Sequence, residues 1–272
     1  MQNFSTSPLE LVLSFFRHHE LIFLLIKREV LGRYRGSFIG ILWAFLNPVI
    51  MVTAYTFVFS IVFKASWVGS NGSQTGFALL LFPGLIVFNL FAECFNKAPG
   101  LVLANQNYVK KVIFPLEILP WVVIGSALFH AFISLGVWVI AYVIFLGSPK
   151  LTIFFVPVIF FPFILFTVGI VWGISALGVY FRDVSHFISI LTSFLMFMSP
   201  IFYPISSLPQ EYKFLFELNP ISPTIEQIRS VLFFGSVPDL VSLSKNLLLG
   251  SSVAYVGFYF FQKSRKGFAD VL

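Results

Sequence analysis

Long apolar stretches alternate with short polar segments along this chain. Six of these stretches are rich in Phe, Leu, Ile and Val and hold few charged residues. They lie at about residues 37–63, 77–95, 118–146, 151–180, 187–203 and 247–261. A helix needs about 20 consecutive apolar residues to cross the hydrocarbon core of a bilayer. The pattern therefore predicts an all-α polytopic membrane protein with six transmembrane helices.

The first 36 residues do not contain a further span. Charged residues interrupt the apolar clusters there, and the longest uncharged apolar run, residues 21–26, is too short to cross a bilayer. We expect one or two helices lying in the inner interface, with basic groups at the lipid headgroups. A plain positively charged anchor is the alternative. The predicted domains are an N-terminal cytoplasmic interfacial segment at residues 1–36 and a transmembrane domain at residues 37–272.

The proline-rich stretch after the fifth apolar segment predicts two short helices. Ser222 and Pro223 are typical of a helix start and Gly235 of a helix stop, which gives a helix of about 12 residues or about 18 Å. Such a helix cannot cross a core of about 30 Å. A second short helix is predicted at residues 208–218. We expect a re-entrant element between spans five and six that dips in from the outer side, with an amphipathic surface loop as the alternative.

Composition places most of the chain in lipid. Only 10% of the residues are charged and the mean hydropathy is +0.94, whereas a soluble domain carries about 25% charged residues. With the N-terminus inside, twelve of the 17 Lys and Arg residues fall on the cytoplasmic side and five on the outer side. Because cytoplasmic loops carry an excess of Lys and Arg, this distribution predicts that both termini are cytoplasmic.

Few residues offer chemistry of their own. The one cysteine, Cys94, excludes an internal disulfide, and the sequence contains no metal-ligand spacing, nucleophile–base pair or GxxxxGK[ST] phosphate loop. Glu93 and His130 lie within predicted spans, which is a weak basis for an ion-coupled carrier, and we interpret His130 as a hydrogen-bonded interhelical residue. Gly169 and Gly173 form a GxxxG motif that favours close helix packing. The chain is therefore predicted to be a membrane translocator or structural subunit that has no energy source of its own.

One predicted cytoplasmic segment, NQNYVKKVIFPLEILPW at residues 105–121, is too polar to be a simple turn. Residues 107–114 are predicted to form a short helix that ends at Pro115, and Pro120 can open the third span. With Lys110 and Lys111 facing outward, this helix would form a rigid cytoplasmic surface on which a separate motor protein could act. An ordinary positive-inside loop is the alternative.

The same segment resembles the cytoplasmic loop of ABC-2 type permeases that export polysaccharides, with the rough pattern N-x-x-L-V-x-K-V-x-F-P-R-E-I-L-P. Leu116 stands where that family usually has Arg. Three further motifs and the tail FADVL are similar to the family, so the resemblance extends along nearly the whole chain. The matching residues are Asn107, Val109, Lys111, Val112, Phe114, Pro115, Glu117, Ile118, Leu119 and Pro120 in the loop; Arg33, Tyr34, Gly40, Trp43, Leu46 and Pro48 at the start of span one; Arg182, Asp183, Val184, Ser199, Pro200, Tyr203 and Pro204 around span five; and Asn219, Pro220 and Arg229 in the outer element.

The resemblance implies an ABC-2, type V exporter-like architecture in the bacterial inner (plasma) membrane, with a homodimer of this chain paired with two ATP-binding cassette subunits. The partner subunits would bind ATP and Mg, while this chain would carry no cofactor, metal site or catalytic site and bind no nucleic acid. The implied cargo is a polysaccharide linked to undecaprenyl diphosphate, with O-antigen favoured and capsular polysaccharide or teichoic acid as alternatives. A secondary transporter and a membrane-embedded transferase are less favoured classes.

The resemblance also implies roles for individual residues. The loop would dock on the ATPase, basic residues before span one would receive the anionic diphosphate, and aromatic residues near the outer element would line a sugar channel. The residues in these roles are Asn107, Lys110, Lys111, Phe114, Pro115 and Glu117 for ATPase coupling; Lys27, Arg28, Arg33 and Arg35 for the lipid diphosphate; Phe202, Tyr203, Tyr212, Phe214, Phe216 and Arg229 for the channel and outer gate; and Arg182 and Asp183 for a cytoplasmic turn.

Overall fold

The structure is a computed structural model that describes residues 5–62, 74–109 and 114–272. Those ranges fold into helices and turns without a β-strand, so the predicted all-α fold is confirmed for them. Their α-helices are, in chain order, α1 (Pro8–Arg17), α2 (His19–Tyr34), α3 (Trp43–Thr56), α4 (Gln74–Lys97), α5 (Leu101–Ala104), α6 (Gln106–Val109), α7 (Leu119–Leu146), α8 (Val156–Tyr180), α9 (Val184–Phe197), α10 (Gln210–Leu218), α11 (Ser222–Arg229), α12 (Leu240–Ser264) and α13 (Phe268–Val271).

Three helical segments in the described ranges are long and apolar enough to cross a membrane, namely Thr75–Ala104, Leu116–Leu146 and Leu151–Tyr180. They overlap the second, third and fourth predicted spans, and the first of them extends nine residues beyond the predicted end at residue 95. Two further apolar helices, Gly40–Thr56 and Val184–Phe197, are shorter. Helix α12 has 25 residues, which is about 37 Å at 1.5 Å per residue. The count of six spans therefore stays a prediction, since composition and length support three of them directly.

The first and last predicted spans have different ends in the structure. Gly36 and Gly40 adopt left-handed φ angles of +85° and +60°, so the first helical turn begins at Gly40 rather than at residue 37. Helix α12 begins seven residues earlier than predicted, because the carboxylate of Asp239 accepts hydrogen bonds from the N–H groups of the next turn at 3.2 and 3.0 Å. Hydropathy alone misses this polar helical turn.

The predicted fifth span, at residues 187–203, is wrong at its C-terminal end. Helix α9 ends at Phe197 and has 14 residues, about 21 Å of helix, which is shorter than a bilayer core of about 30 Å. Pro200 disfavours helical backbone at the preceding residue, so the chain leaves the helix there. The following non-helical turn is buried, with Ser199 and Ile201 fully inaccessible to solvent.

The N-terminal segment forms two helices, which confirms the two-helix form of the prediction. The hydroxyl of Ser7 caps α1 by accepting a hydrogen bond from the N–H of Leu9 at 3.2 Å. The chain breaks at His18 before α2 begins. Apolar side chains of α2 pack on the start of α7, so this segment lies against the bundle.

The two predicted short helices after α9 are confirmed as α10 and α11. Helix α11 continues into a π-helical segment, Ser230–Phe234. Gly235 ends it with a left-handed φ of +71°. The depth of these helices in a bilayer, and with it their re-entrant character, stays a prediction.

A proline inside α4 creates the contact that fixes α7 against it. Pro83 has no N–H, so the carbonyl of Leu79 loses its partner within the helix. The indole N–H of Trp138 donates to that carbonyl at 2.9 Å. Trp138 is fully buried, and its hydrogen bond satisfies a backbone group that lipid could not satisfy.

Helices α8 and α12 pack together at glycines that bring their backbones into contact. A Cβ atom on Gly257 would lie 2.0 Å from the carbonyl oxygen of Gly169, and one on Gly250 would lie 2.4 Å from that of Pro162. The close packing predicted from the GxxxG motif is thus confirmed at Gly169. It is wrong for Gly173, where an added Cβ would meet nothing within 4 Å.

We predict that Gly257→Ala destabilises the protein, because the added methyl group overlaps the backbone of α8. Overpacking of this kind costs about 1–3 kcal/mol. Gly173→Ala is the matched control, and it should be neutral or slightly stabilising because Ala favours helix more than Gly does. Thermal unfolding of both purified variants in detergent measures the difference. Equal unfolding temperatures would contradict the assigned contact.

Candidate functional site

A polar cavity of about 540 Å³ opens between the end of α2 and helices α3, α4 and α7. Its wall combines aromatic rings, amides, hydroxyls and charged groups. The lining residues are Arg33, Tyr34, Ser37, Trp43, Ala44, Asn47, Pro48, Met51, Tyr55, Asn89, Glu93, His130 and Ser134. A volume of this size is within the usual range for ligand pockets, about 300–1,000 Å³. By contrast, a cavity of about 820 Å³ between α1, α2, α7 and α8 is lined almost entirely by apolar side chains.

Five ionisable side chains form a cluster beside the polar cavity, and three of them, Arg33, Glu93 and His130, line it. Oε1 of Glu93 lies 2.9 Å from Nη1 of Arg33 and 3.1 Å from Nζ of Lys97. Oε2 of Glu93 lies 2.9 Å from Nδ1 of His130. Lys97 also donates to Glu29 at 2.6 Å. The cluster joins α2, α4 and α7 through ion pairs and hydrogen bonds.

The cluster explains why these ionisable groups are tolerated among apolar helices. A carboxylate removed from water is stable only when it is paired and hydrogen-bonded, and the Glu93 side chain is only 14% exposed. Glu93 and Lys97 are four residues apart on α4, so they share one helix face. The interpretation of His130 as a hydrogen-bonded interhelical residue is confirmed.

The cavity also presents aromatic and hydroxyl groups near the charges. Burial raises the pKa of the Tyr34 phenol above its ordinary value of 10, so its hydroxyl keeps its proton at neutral pH and can donate a hydrogen bond. The ring of Tyr34 meets the imidazole of His130 edge-on at 6.1 Å. Trp43 and Tyr55 line the cavity further along α3.

The four basic residues expected to meet a diphosphate are not brought together. Arg33 lines the polar cavity. Arg28 instead donates to the hydroxyl of Tyr108 at 2.7 Å, beside the predicted coupling segment. Lys27 and Arg35 are exposed on the surface. Of this set, Arg33 is therefore the member that lines the polar cavity described above.

The described part of the predicted coupling segment contains a short helix, α6, followed by Phe114 and Pro115. Lys110 and Lys111 lie outside the described residues. Asn107 is exposed. The ring of Phe114 stacks on that of Tyr108 with centroids 4.1 Å apart and planes within 8°. This stack joins the two described ends of the segment.

Glu117 faces the protein interior and is only 9% exposed. Its Oε2 lies 2.5 Å from Nη1 of Arg265, and Nη2 of Arg265 donates to the carbonyl of Phe114 at 2.9 Å. Burial lowers the pKa of the Arg265 guanidinium below its ordinary value, and the neighbouring Glu117 opposes that effect. The indole of Trp172 donates to the Glu117 carbonyl at 3.0 Å. Glu117 thus anchors the segment to the end of α12 instead of presenting a charge to solvent.

Arg229 is buried and binds backbone carbonyls. Its Nε donates to the carbonyl of Leu80 at 3.0 Å, and its Nη2 donates to those of Pro200 and Ile201 at 2.9 and 3.2 Å. Gly84 leaves room for the guanidinium, since a Cβ there would lie 3.1 Å from Nη2. Arg229 therefore supports the non-helical turn after α9.

The aromatic residues expected at an outer gate divide into buried and exposed groups. Phe202 is buried and its ring lies 5.3 Å from that of Tyr55. Phe216 is buried against the ring of Tyr203, 5.8 Å away. Tyr212 and Phe214 are more than half exposed on α10. Tyr203 is partly exposed, so Tyr212 and Phe214 are the most accessible aromatic residues of the set.

Residues 20–233 match the model of the ABC-2 type transporter family. The chain belongs to the ABC-2 type transporter family. It is 25% identical to the O-antigen export system permease protein RfbA of Myxococcus xanthus over 264 residues, which is 96% of this chain and 99% of that protein. It is 26% identical to the RfbA protein of Klebsiella pneumoniae over 255 residues, 93% of this chain and 95% of that protein. It is 25% identical to the polysialic acid transport protein KpsM of Escherichia coli over 240 residues, 86% of this chain and 89% of that protein.

The environments of two residues in this ABC-2 chain could not be predicted from the sequence motifs. Leu116, at the place where the motif usually has Arg, is buried in the core with 4% of its surface exposed. Arg265 is absent from every motif used above, yet it makes the ion pair with Glu117. A basic residue shortly after the last span is the one sequence signal for this contact, and the same signal is expected of any positive-inside terminus.

Arg182 and Asp183 lie at the turn between α8 and α9, and both are exposed. The backbone carbonyl of Asp183 accepts hydrogen bonds from the N–H groups of His186 and Phe187 at 3.1 and 3.2 Å. This geometry confirms a turn at these residues. Its location on the cytoplasmic side stays a prediction.

We predict that Glu117 and Arg265 act as a charge pair. Glu117→Arg and Arg265→Glu should each destabilise the protein, by about 3–5 kcal/mol, because each leaves two like charges buried together. The double reversal should recover part of the loss. Thermal unfolding in detergent provides the measurement, and Glu211→Arg at an exposed position of α10 is the control. A double variant no more stable than either single variant would contradict the pairing.

Proposed function

We propose that this chain is the membrane permease subunit of an ABC transporter that exports a lipid-linked polysaccharide. The observation that carries this proposal is the full-length similarity to relatives that are named for polysaccharide export and transport. O-antigen is the favoured cargo, because the relatives named for O-antigen export align over a larger share of this chain. Capsular polysaccharide is the second candidate, supported by the relative named for polysialic acid transport.

The energy source is proposed to be a separate ATP-binding subunit, with two copies serving a homodimer of this chain. The sequence has no phosphate loop of its own, so ATP and Mg would be held by the partner. The segment around Asn107 and Phe114 is the proposed docking element. Its exposed short helix and its ring stack support this role, since they give a partner a firm surface to push.

The proposed arrangement in the inner membrane has six spans, a re-entrant outer element formed by α10 and α11, and both termini in the cytoplasm. The distribution of Lys and Arg supports this orientation. With it, α1, α2 and the docking element lie on the cytoplasmic side.

The proposed topology predicts opposite labelling of two exposed positions. A cysteine replacing Ser148 should react with a membrane-impermeant maleimide from outside the cell. A cysteine replacing Ser185 should react only after the membrane is opened. Cys94 is fully buried, so it should add little background. The reverse pattern would exclude this orientation.

The polar cavity and the exposed aromatic residues are proposed to meet the substrate. Aromatic rings such as those of Trp43 and Tyr55 offer flat apolar surfaces, which can hold successive sugar faces without tight selection. Tyr212 and Phe214 offer such surfaces at the outer side. The basic residues Lys27, Arg28, Arg33 and Arg35 are proposed to attract the diphosphate headgroup at the inner side.

We predict that Phe114→Ala uncouples ATP hydrolysis from export. Loss of the stack on Tyr108 should soften the docking element and lower the export rate by about tenfold, while the variant still inserts into the membrane. The measurement is ATP hydrolysis and polymer uptake by inside-out vesicles that contain this chain and its ATP-binding subunit. Phe154→Ala, at an exposed position far along the chain, is the control.

The same assay separates the alternative functions. Transport by this chain without ATP or a partner would indicate a secondary transporter. Chemical modification of the polymer by this chain alone would indicate a transferase. Unchanged export by Phe114→Ala would remove the docking role, but it would leave the exporter proposal intact.

A further inference from the structure

Arg33 lies at the boundary between the charged cluster and the open polar cavity. Its side chain is 44% exposed, whereas that of its partner Glu93 is 14% exposed. Nη1 of Arg33 is 2.9 Å from Glu93 and 2.9 Å from Nδ1 of His130. The guanidinium therefore has one side on the cluster and another side toward the cavity.

Glu93 does not depend on Arg33 alone. Lys97 lies 3.1 Å from one carboxylate oxygen and His130 lies 2.9 Å from the other. If Arg33 turned away, the buried carboxylate would still be paired and hydrogen-bonded at both oxygens. The large penalty for an orphaned buried charge would therefore be avoided.

Moving Arg33 away from Glu93 has an electrostatic cost, which an anion in the cavity must offset through its own contacts with the guanidinium. Arg33 and Lys97 are the two arginine and lysine partners of the carboxylates of Glu29 and Glu93. Departure of Arg33 would remove one cation from the cluster and leave Lys97 between the two carboxylates. A diphosphate carries more charge than a carboxylate and accepts paired hydrogen bonds from a guanidinium, so it can compensate for that loss.

We propose that Arg33 is an anion-exchange site, at which the guanidinium leaves Glu93 and binds the phosphate groups of a diphosphate in the polar cavity. This inference rests on the proposed export of a diphosphate-linked lipid and identifies Glu93 as the internal competitor of the substrate. Tyr34, Ser37 and Ser134 line the same cavity with hydroxyl groups that can donate to the remaining phosphate oxygens. Glu93 thereby keeps the site closed to weaker anions.

The first test is a gain of affinity, which a purely structural Glu93 would not produce. Full-length protein in lipid nanodiscs is titrated with farnesyl diphosphate, inorganic pyrophosphate or farnesol, with empty nanodiscs as the blank. Glu93→Gln removes the competing charge, so the dissociation constant for farnesyl diphosphate should fall by about tenfold. Adding Arg33→Gln to that variant should abolish the gain. Unchanged or weaker binding by folded Glu93→Gln would overturn the proposal.

A second binding experiment does not require the Glu93 variant to fold. Arg33→Lys keeps a positive charge but loses the planar fork, so it should weaken binding by about tenfold. Normal binding by Arg33→Lys would overturn the proposal and leave Arg33 as an anchor. The control is Glu10→Gln, which removes the carboxylate from an exposed Arg17–Glu10 pair at the same distance of 2.9 Å. That variant should bind like the unchanged protein.

The three probes distinguish the source of the diphosphate. Equal affinity for inorganic pyrophosphate and farnesyl diphosphate would support a site for the free anion, and tighter binding of the prenyl compound would support a lipid headgroup. Farnesol should not respond to either substitution. Because the assay measures binding without ATP or transport, its outcome is separate from that of the export assay, and either proposal can fail alone.

Discussion

An ionised group that leaves water without a partner is strongly destabilising, and this constraint organises the end of the bundle where α1 and α2 lie. Glu93 has three basic neighbours, and they come from α2, α4 and α7. Glu117 is paired with Arg265 across 148 positions of sequence. These contacts hold together helices that are distant in sequence. Apolar packing between the helices would not by itself fix how they align along their axes.

The same constraint applies to backbone groups at the other end. The turn after α9 exposes carbonyls that no helix partner can satisfy, and Arg229 donates to two of them. Pro83 frees a carbonyl in α4, and Trp138 donates to it. In an environment without water, each break in a helix needs a donor from a neighbouring segment. The buried arginine and tryptophan are therefore part of the backbone architecture.

Helix α2 connects the proposed docking element with the polar cavity. Arg28 contacts Tyr108 beside the docking element. The next residue, Glu29, and Arg33 about one turn further along belong to the charged cluster beside the cavity. A displacement of the docking element could therefore be transmitted along α2 to the charged cluster beside the cavity. The N-terminal segment thus has contacts with both regions that an anchor for topology would not need.

The sequence by itself determined the elements that depend on local composition. Apolar runs located the long helices α4, α7 and α8, while Ser222, Pro223 and Gly235 located the short helix α11. The order of motifs indicated the family, because each motif keeps its residues within a short stretch. These features depend on residues close together in the sequence, so contacts between distant parts of the chain did not change them.

Only the tertiary structure decided which charged residues act together. The motif grouped Glu117 with an outward docking surface, whereas Arg265 holds it inside. Four basic residues before the first span looked equivalent, yet only Arg33 lies in the cavity. Gly169 packs closely and Gly173 does not, since helix rotation selects one face. Hydropathy and residue spacing do not identify a partner that lies more than 100 residues away in the sequence. For a buried charged residue, that partner determines whether the residue stabilises the fold or can bind a ligand.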